Sequence, residues 1–445
     1  MTIYPRVLES VFLPAYDYAR RREYVKRRSL LQQSQWWSAE QIERFQWTEL
    51  LRLLKHAFDS VPYLQQKYRA AGARFEDIRS REDFRRLPPL TREEINTHQK
   101  ELCSTSYAGR LLPHATGGSS GTPTRFFRTY ESYDWRTAAK DRVYEWSGWK
   151  LGERSVYLWG APVGAVSRRQ AWKTHAYERL HRQLIFNTFA QTTELWRRIY
   201  AEIRKFKPVL AVGYVSSLEQ FAAFLERENL APPRVNAVIA AAEPLVAASR
   251  TAIEHAFRAP VFNTYGSREF MSIAGECDEH RGLHINAENL VVETLDSGYD
   301  RPSEILVTDL HNYGMPFIRY ATGDSGRLTD TRCACGRGLP LLDAIEGRVL
   351  DLLQTADGRT VPGEFFPHLL KEIPEFAQYR VEQRSLDRIV ISAVLTRPLS
   401  ERSESLLRHE IGKVFGSSTH WEVQPVEEIP HLRSGKRRIT VGLGA

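Results

Sequence analysis

Apolar residues divide the chain into three stretches with different periods. Over residues 1–95 they recur at helical spacing, with Trp36, Trp37, Phe45, Trp47, Leu50, Leu51 and Leu54 forming one stripe that predicts core packing. From about 110 to 345, short strand-like runs alternate with amphipathic helices. Ser155–Trp159, Val209–Val212 and Val235–Ala240 read as strands, and Thr193–Phe206 and Leu218–Glu228 as helices. This alternation predicts an α/β fold with mainly parallel sheets. A more β-rich part follows, with Leu290–Thr294 and Glu304–Thr308. Beyond Gly347-Arg348, a hairpin turning at Asp357-Gly358 precedes a helix at Phe365–Lys371. Strands at Tyr379–Gln383 and Ile389–Leu395, a helix at Ser400–Val414 and a strand near Trp421–Val426 complete a small α+β domain. The pattern places a large domain at 1–347 and a smaller one at 348–445. No internal repeat or low-complexity segment is visible.

At 445 residues the chain is too long for one ordinary core. Its 42% hydrophobic and 11% aromatic content suits a globular protein with a large interior. No apolar run approaches the roughly 18–20 residues that span a bilayer. Arg6 and Glu9 interrupt any signal-peptide centre, so a cytoplasmic location is expected. The net charge of +8 suits polyanionic ligands, small or nucleic acid, or simply a solvated, arginine-biased surface, and no nucleic-acid partner is expected. Arg20-Arg21-Arg22 and Lys26-Arg27-Arg28 read as an exposed helix face open to an acidic carrier protein or an anionic membrane surface.

The densest chemical signal is Ala115-Thr116-Gly117-Gly118-Ser119-Ser120-Gly121-Thr122-Pro123-Thr124. Glycines let a backbone approach a ligand, and hydroxyls with free amides surround phosphate oxygens. The Walker lysine is missing, since Thr-Pro-Thr follows Gly121, which disfavours a P-loop phosphotransferase. Downstream come Ala241-Ala242-Glu243-Pro244, Asn263-Thr264-Tyr265-Gly266-Ser267-Arg268-Glu269, Arg319-Tyr320-Ala321-Thr322-Gly323-Asp324, Glu346-Gly347-Arg348 with Asp351, and Arg433-Ser434-Gly435-Lys436. In this order the series resembles the adenylate-forming superfamily of acyl-CoA synthetases, adenylation domains and luciferases. Within it the likeness is to phenylacetate–CoA ligase and its capsule-biosynthesis-type relatives. His56-Ala57-Phe58, Val61-Pro62-Tyr63 and Leu87-Pro88-Pro89-Leu90-Thr91-Arg92 extend that likeness over most of the chain.

The resemblance implies an ATP-dependent, AMP-forming ligase that makes an acyl-adenylate from a carboxylic acid and releases pyrophosphate. The acceptor would be CoA, a carrier protein or an amine. Thr116, Gly117, Gly118, Ser119, Ser120, Gly121 and Thr122 would grip the β- and γ-phosphates. Ala242, Glu243 and Pro244 would line the adenine, with Tyr265, next to Gly266, stacking on it. Glu269 would be the magnesium carboxylate, Asp324 would bind the ribose hydroxyls, and Arg348 would assist from the domain junction. Lys436 would enter from a mobile lid to bridge carboxylate and α-phosphate. A catalytically inactive nucleotide-binding regulatory protein is the rival class, and retention of Glu269, Asp324, Arg348 and Lys436 argues against it. Leu350 stands where the family has an acidic hinge residue, and Thr355–Thr360 replaces its glycine-containing pantetheine loop. Both weaken CoA as acceptor more than they weaken adenylation.

Four cysteines add a separate signal. Cys277-x-x-His280 and Cys333-x-Cys335 together supply three thiolates and an imidazole, a set suited to structural tetrahedral zinc. His280 is preferred over His284 as the fourth ligand. Cys103, alone, is expected as a buried filler.

Overall fold

A computed structural model describes residues 3–116, 124–160, 168–189, 192–295, 303–346, 353–361, 363, 365–370, 372–429 and 440–443. It is a mixed α/β fold with a large multi-strand sheet system and a smaller C-terminal α+β region. Two compact units emerge. One comprises 1–114, 124–151 and 262–347, and the other 115–123, 152–261 and 348–445.

In the first unit, helices fill residues 3–97 as the apolar period predicts. The longest, Ala39–Ser60, starts at a capping box in which the Ser38 hydroxyl accepts from the Gln41 amide and the Gln41 side chain accepts from the Ser38 amide. Leu50, Leu53 and Leu54 on it are buried. The aromatic stripe is less of a core than the spacing suggests. Trp36 is exposed beneath the Arg337 guanidinium, 4.7 Å from its ring centroid, and Trp47 lies under Arg81. Arginine over an indole face gains from the ring quadrupole, so these rings need no apolar neighbour. Cys103 is likewise only half-buried, with its thiol directed at the Gln99 carbonyl.

The β-rich part is antiparallel. Val261–Tyr265, Ala274–Gly275, Leu283–Ile285, Leu341–Glu346, Tyr320–Thr329, Ser303–Asp309 and Leu290–Thr294 lie side by side in that order. Short connections between these strands leave no room for crossover helices, so they pair antiparallel. In the first unit the named strands pair antiparallel, with one isolated parallel bridge between Leu90 and Tyr320.

Helix Tyr130–Glu145 brings two arginines into the interior of the first unit. Arg136 pairs with Asp309 at 2.6 Å and Arg142 with Glu288 at 2.6 Å, all four side chains buried. Asn286 Oδ1 and the Leu31 carbonyl accept further hydrogen bonds from Arg142. Removing one partner of such a pair strands the other, at a cost of about 3–5 kcal/mol. Arg142→Ala is therefore expected to lower the thermal unfolding midpoint strongly, and Arg142→Met with Glu288→Gln to recover part of the loss. Calorimetry of the three proteins checks this.

In the second unit, four parallel strands stand in the order Ala237–Ala241, Leu210–Tyr214, Ser155–Trp159, Gln183–Asn187. Their nearly continuous apolar runs fit strands covered on both faces. Helix Thr193–Phe206 is capped by Thr192 and buries Trp196, Ile199 and Ile203, which share one face. The C-terminal region has the sheet order His420–Pro425, Arg388–Leu395, Phe376–Ser385, Thr440–Val441, with helices Phe365–Leu370 and Glu401–Phe415. A tight turn at Asp357-Gly358 joins Leu353–Gln354 to Thr360–Val361, with Gly358 at φ +82°, where a side chain would be strained.

Candidate functional site

Strand Val261–Tyr265 delivers Tyr265 to its end, and the chain then turns sharply. A Cβ on Gly266 would lie 2.0 Å from the Met271 carbonyl oxygen, so only glycine permits this turn. The turn carries Glu269 inward to a buried position, where Oε1 accepts from the Tyr320 hydroxyl at 3.2 Å. Its Oε2 has no hydrogen-bond partner among the described residues. An open carboxylate oxygen fits a hard cation such as magnesium.

Asp324 sits on strand Tyr320–Thr329 beyond Gly323, whose φ is +77°. Its Oδ2 accepts from the Tyr265 hydroxyl at 3.0 Å, and its amide donates to Thr322 Oγ1. The structure thus brings Tyr265, Glu269 and Asp324 together through two phenol–carboxylate hydrogen bonds. It also adds Arg92, which the motif series did not single out for chemistry. Arg92 Nε donates to the Tyr320 hydroxyl at 3.4 Å, and Nη1 is buried without a hydrogen-bond partner. Burial opposes its charge, but Tyr320, Glu269 and Asp324 outweigh that and hold the guanidinium above its ordinary pKa. Only its place in Leu-Pro-Pro-Leu-Thr-Arg hinted at a role. Phe270 is buried packing, between Phe317 and Tyr320.

In the second unit, Ala242-Glu243-Pro244 leave the carboxyl end of strand Ala237–Ala241, the edge at which α/β sheets bind ligands. Ala242 adopts the left-handed region, φ +67°, uncommon for alanine. Glu243 receives the Ser216 amide at 2.6 Å and the Ser216 hydroxyl at 2.9 Å, at the start of helix Val215–Arg227. A carboxylate there is favoured by the helix dipole, which locks the segment and leaves Ala242 and Pro244 exposed. Tyr214 is buried against Trp159, Phe189 and His368. Thr116 is buried at the entry to the glycine-rich loop. Gly117, Gly118, Ser119, Ser120, Gly121, Thr122, Arg348, Leu350, Asp351 and Lys436 lie outside the described residues.

The cysteines converge. One ligand atom each from Cys277, His284, Cys333 and Cys335 lies within 4.8 Å of every other. Cys277 Sγ is 3.7 Å from Cys333 Sγ, and Cys335 Sγ is 3.3 Å from His284 Nε2. Zinc–sulfur bonds of about 2.3 Å at tetrahedral angles require sulfurs about 3.8 Å apart, so the spacing fits. The Arg337 amide donates to Cys335 Sγ past Gly336, at φ +83°. His280, expected as the fourth ligand ahead of His284, is not in the group. Its Nδ1 faces Glu276 Oε2 at 3.1 Å and its ring packs on Phe262. His284 is supplied instead by strand Leu283–Ile285, opposite Gly275 and Leu341. Burial pushes its imidazole down to about 4, keeping it neutral.

The chain is similar to acyl-CoA ligases of the adenylate-forming superfamily. Its relatives there are CapK and the phenylacetate–CoA ligases. The CapK C-terminal domain model matches residues 353–442. Protein CapK of Staphylococcus aureus is 23% identical over 365 residues, covering 81% of this chain and 80% of that one. Phenylacetate-coenzyme A ligase of Escherichia coli K12 is 26% identical over 426 residues, covering 90% and 94%. The crystal structure of a 2-hydroxyisobutyryl-CoA ligase with 2-HIB-AMP and CoA shares the fold, with TM-score 0.61, 20% identity and coverage of 92% and 91%.

Proposed function

We propose that this chain is an AMP-forming ligase that activates a carboxylic acid as its acyl-adenylate and passes the acyl group to a thiol, CoA being the acceptor that its relatives' names point to. The observation that carries this reading is the joined pair Tyr265–Asp324 and Tyr320–Glu269 beside Arg92. A carboxylate oxygen of the substrate attacks the α-phosphorus of ATP, and the bond to pyrophosphate breaks. The acceptor sulfur then attacks the acyl carbonyl and AMP leaves. Carboxylate is a poor electrophile, so the first step creates a leaving group the second can use.

Within this reading the Tyr265 ring, steadied through its hydroxyl by Asp324, stacks on the adenine that Ala242–Pro244 line, while Asp324 receives the ribose hydroxyls. Glu269 presents Oε2 to magnesium, which when bound offsets negative charge on the phosphates. Arg92 adds a fixed positive charge beside both carboxylates. Thr116–Thr122 hold the β- and γ-phosphates, and Arg348 and Lys436 act from the junction and the lid. The domain boundary is placed at 347/348, with 348–445 as the moving part. Leu350 and the Thr355–Thr360 loop favour a second reading, transfer to a carrier-protein thiol or an amine. A screen of carboxylic acids by pyrophosphate release, followed by CoA, carrier protein and amines as acceptors, tests both. No acid producing pyrophosphate would reject the adenylation reading.

Cys277, His284, Cys333 and Cys335 hold a structural zinc in this account, since four protein ligands leave no open position for water. His284→Ala is expected to lower zinc content well below one per chain and to reduce stability, while His280→Ala keeps the metal. Metal analysis of both variants, expressed with zinc supplied, checks the assignment.

A further inference from the structure

The N-terminal helical segment, residues 3–20, has its polarity inverted. Its acidic side chains turn inward. Asp17 is buried and accepts the Val25 amide, and Glu9 pairs with Arg28. Outward stand Ile3, Val11, Phe12, Tyr16 and Tyr18, exposed by 79%, 57%, 48%, 51% and 91%. A turn of i→i+5 hydrogen bonding over Leu8–Phe12 explains this face. The Leu13 amide bonds to the Leu8 carbonyl, so these two leucines, five apart, share the buried side and leave Val11 and Phe12 outside. Exposed Arg20 and Arg21 close the segment.

The basic run does not form the open face its spacing suggests. Arg22 is held by Asp134, Arg27 by Glu23 and Glu131, and Arg28 by Glu145 and Glu9. What remains outward is an apolar strip with arginines at its end and no carboxylate of its own on that strip. Across residues 3–28 seven basic residues oppose three acidic ones.

We propose that this strip is a docking surface for an anionic lipid bilayer, with the helix lying in the headgroup plane. Val11 and Phe12 would enter the acyl boundary, and Tyr16 and Tyr18, apolar rings with polar tips, suit the interface. Arg20 and Arg21 would meet lipid phosphates. A second copy of the chain fits less well, because a two-fold contact would offer these arginines only the same strip, which has no acid. No described helix is long and apolar enough to cross a membrane.

The test is co-sedimentation of the full chain with vesicles of phosphatidylcholine alone and with phosphatidylglycerol added. Binding is expected to the mixed vesicles only, weakening as salt rises. Phe12→Ser with Tyr16→Ser and Tyr18→Ser should weaken it by more than about tenfold. Arg20→Gln and Arg21→Gln should each weaken it about fivefold. The thermal midpoint should stay unchanged, because these side chains are exposed. No binding to anionic vesicles would overturn the proposal, as would full binding by the triple variant. A dimer on gel filtration that the triple variant converts to monomer would assign the strip to a second copy instead.

Discussion

Glu269→Gln is expected to reduce ATP–pyrophosphate exchange by about a thousandfold, the scale of losing a charged group aimed at the reacting phosphate. The change is nearly isosteric and keeps an acceptor oxygen for the Tyr320 hydroxyl, so packing around the turn after Gly266 should survive. The buried site would lose one negative charge opposite Arg92. Exchange measured against magnesium concentration, with the acid found in the screen, reads this directly. Partial recovery at high magnesium would fit a weakened metal ligand. Exchange at the wild-type level would rule out the magnesium assignment.

Lys436→Ala separates the two half-reactions. Lysine is a point charge on a long stem, able to follow oxygens as they move. Adenylate formation should fall by about a thousandfold, because charge stabilisation of the transition state is removed. Transfer from a synthetic acyl-adenylate to the acceptor should change little, since that step follows lid rotation in this mechanism. The two rates are measured side by side in wild type and variant. Equal losses in both would mean that Lys436 acts through folding or general binding, and the lid account would lose its support.

Much of the fold is legible from the period of apolar residues. Ser155–Trp159, Thr193–Phe206 and Leu290–Thr294 form the elements their patterns predict, within the same bounds. Other ends drift by a few residues, as for Leu218–Glu228, observed as Val215–Arg227, because caps rather than periodicity set helix ends. The parallel-sheet expectation holds over residues 152–261, gives way to antiparallel pairing over 262–346, and the C-terminal sheet mixes both directions. A strand's own side chains say little about its partner's direction. That is decided by whether the connection can hold a crossover helix.

By itself the sequence determined the element types, the likeness to adenylate-forming ligases, and the residue kinds available for chemistry. These depend on local periodicity and short motifs. The tertiary structure decided what depends on distance across the chain. It chose His284 over His280, because a strand side chain opposite Gly275 reaches the sulfurs while His280 turns to Glu276. It placed Arg92 beside Tyr320, 228 positions away. It turned Arg22, Arg27 and Arg28 inward and Phe12 and Tyr18 outward. A side chain's charge is written in the sequence, but its partner is chosen by packing, since only folding brings distant carboxylates and rings within contact range.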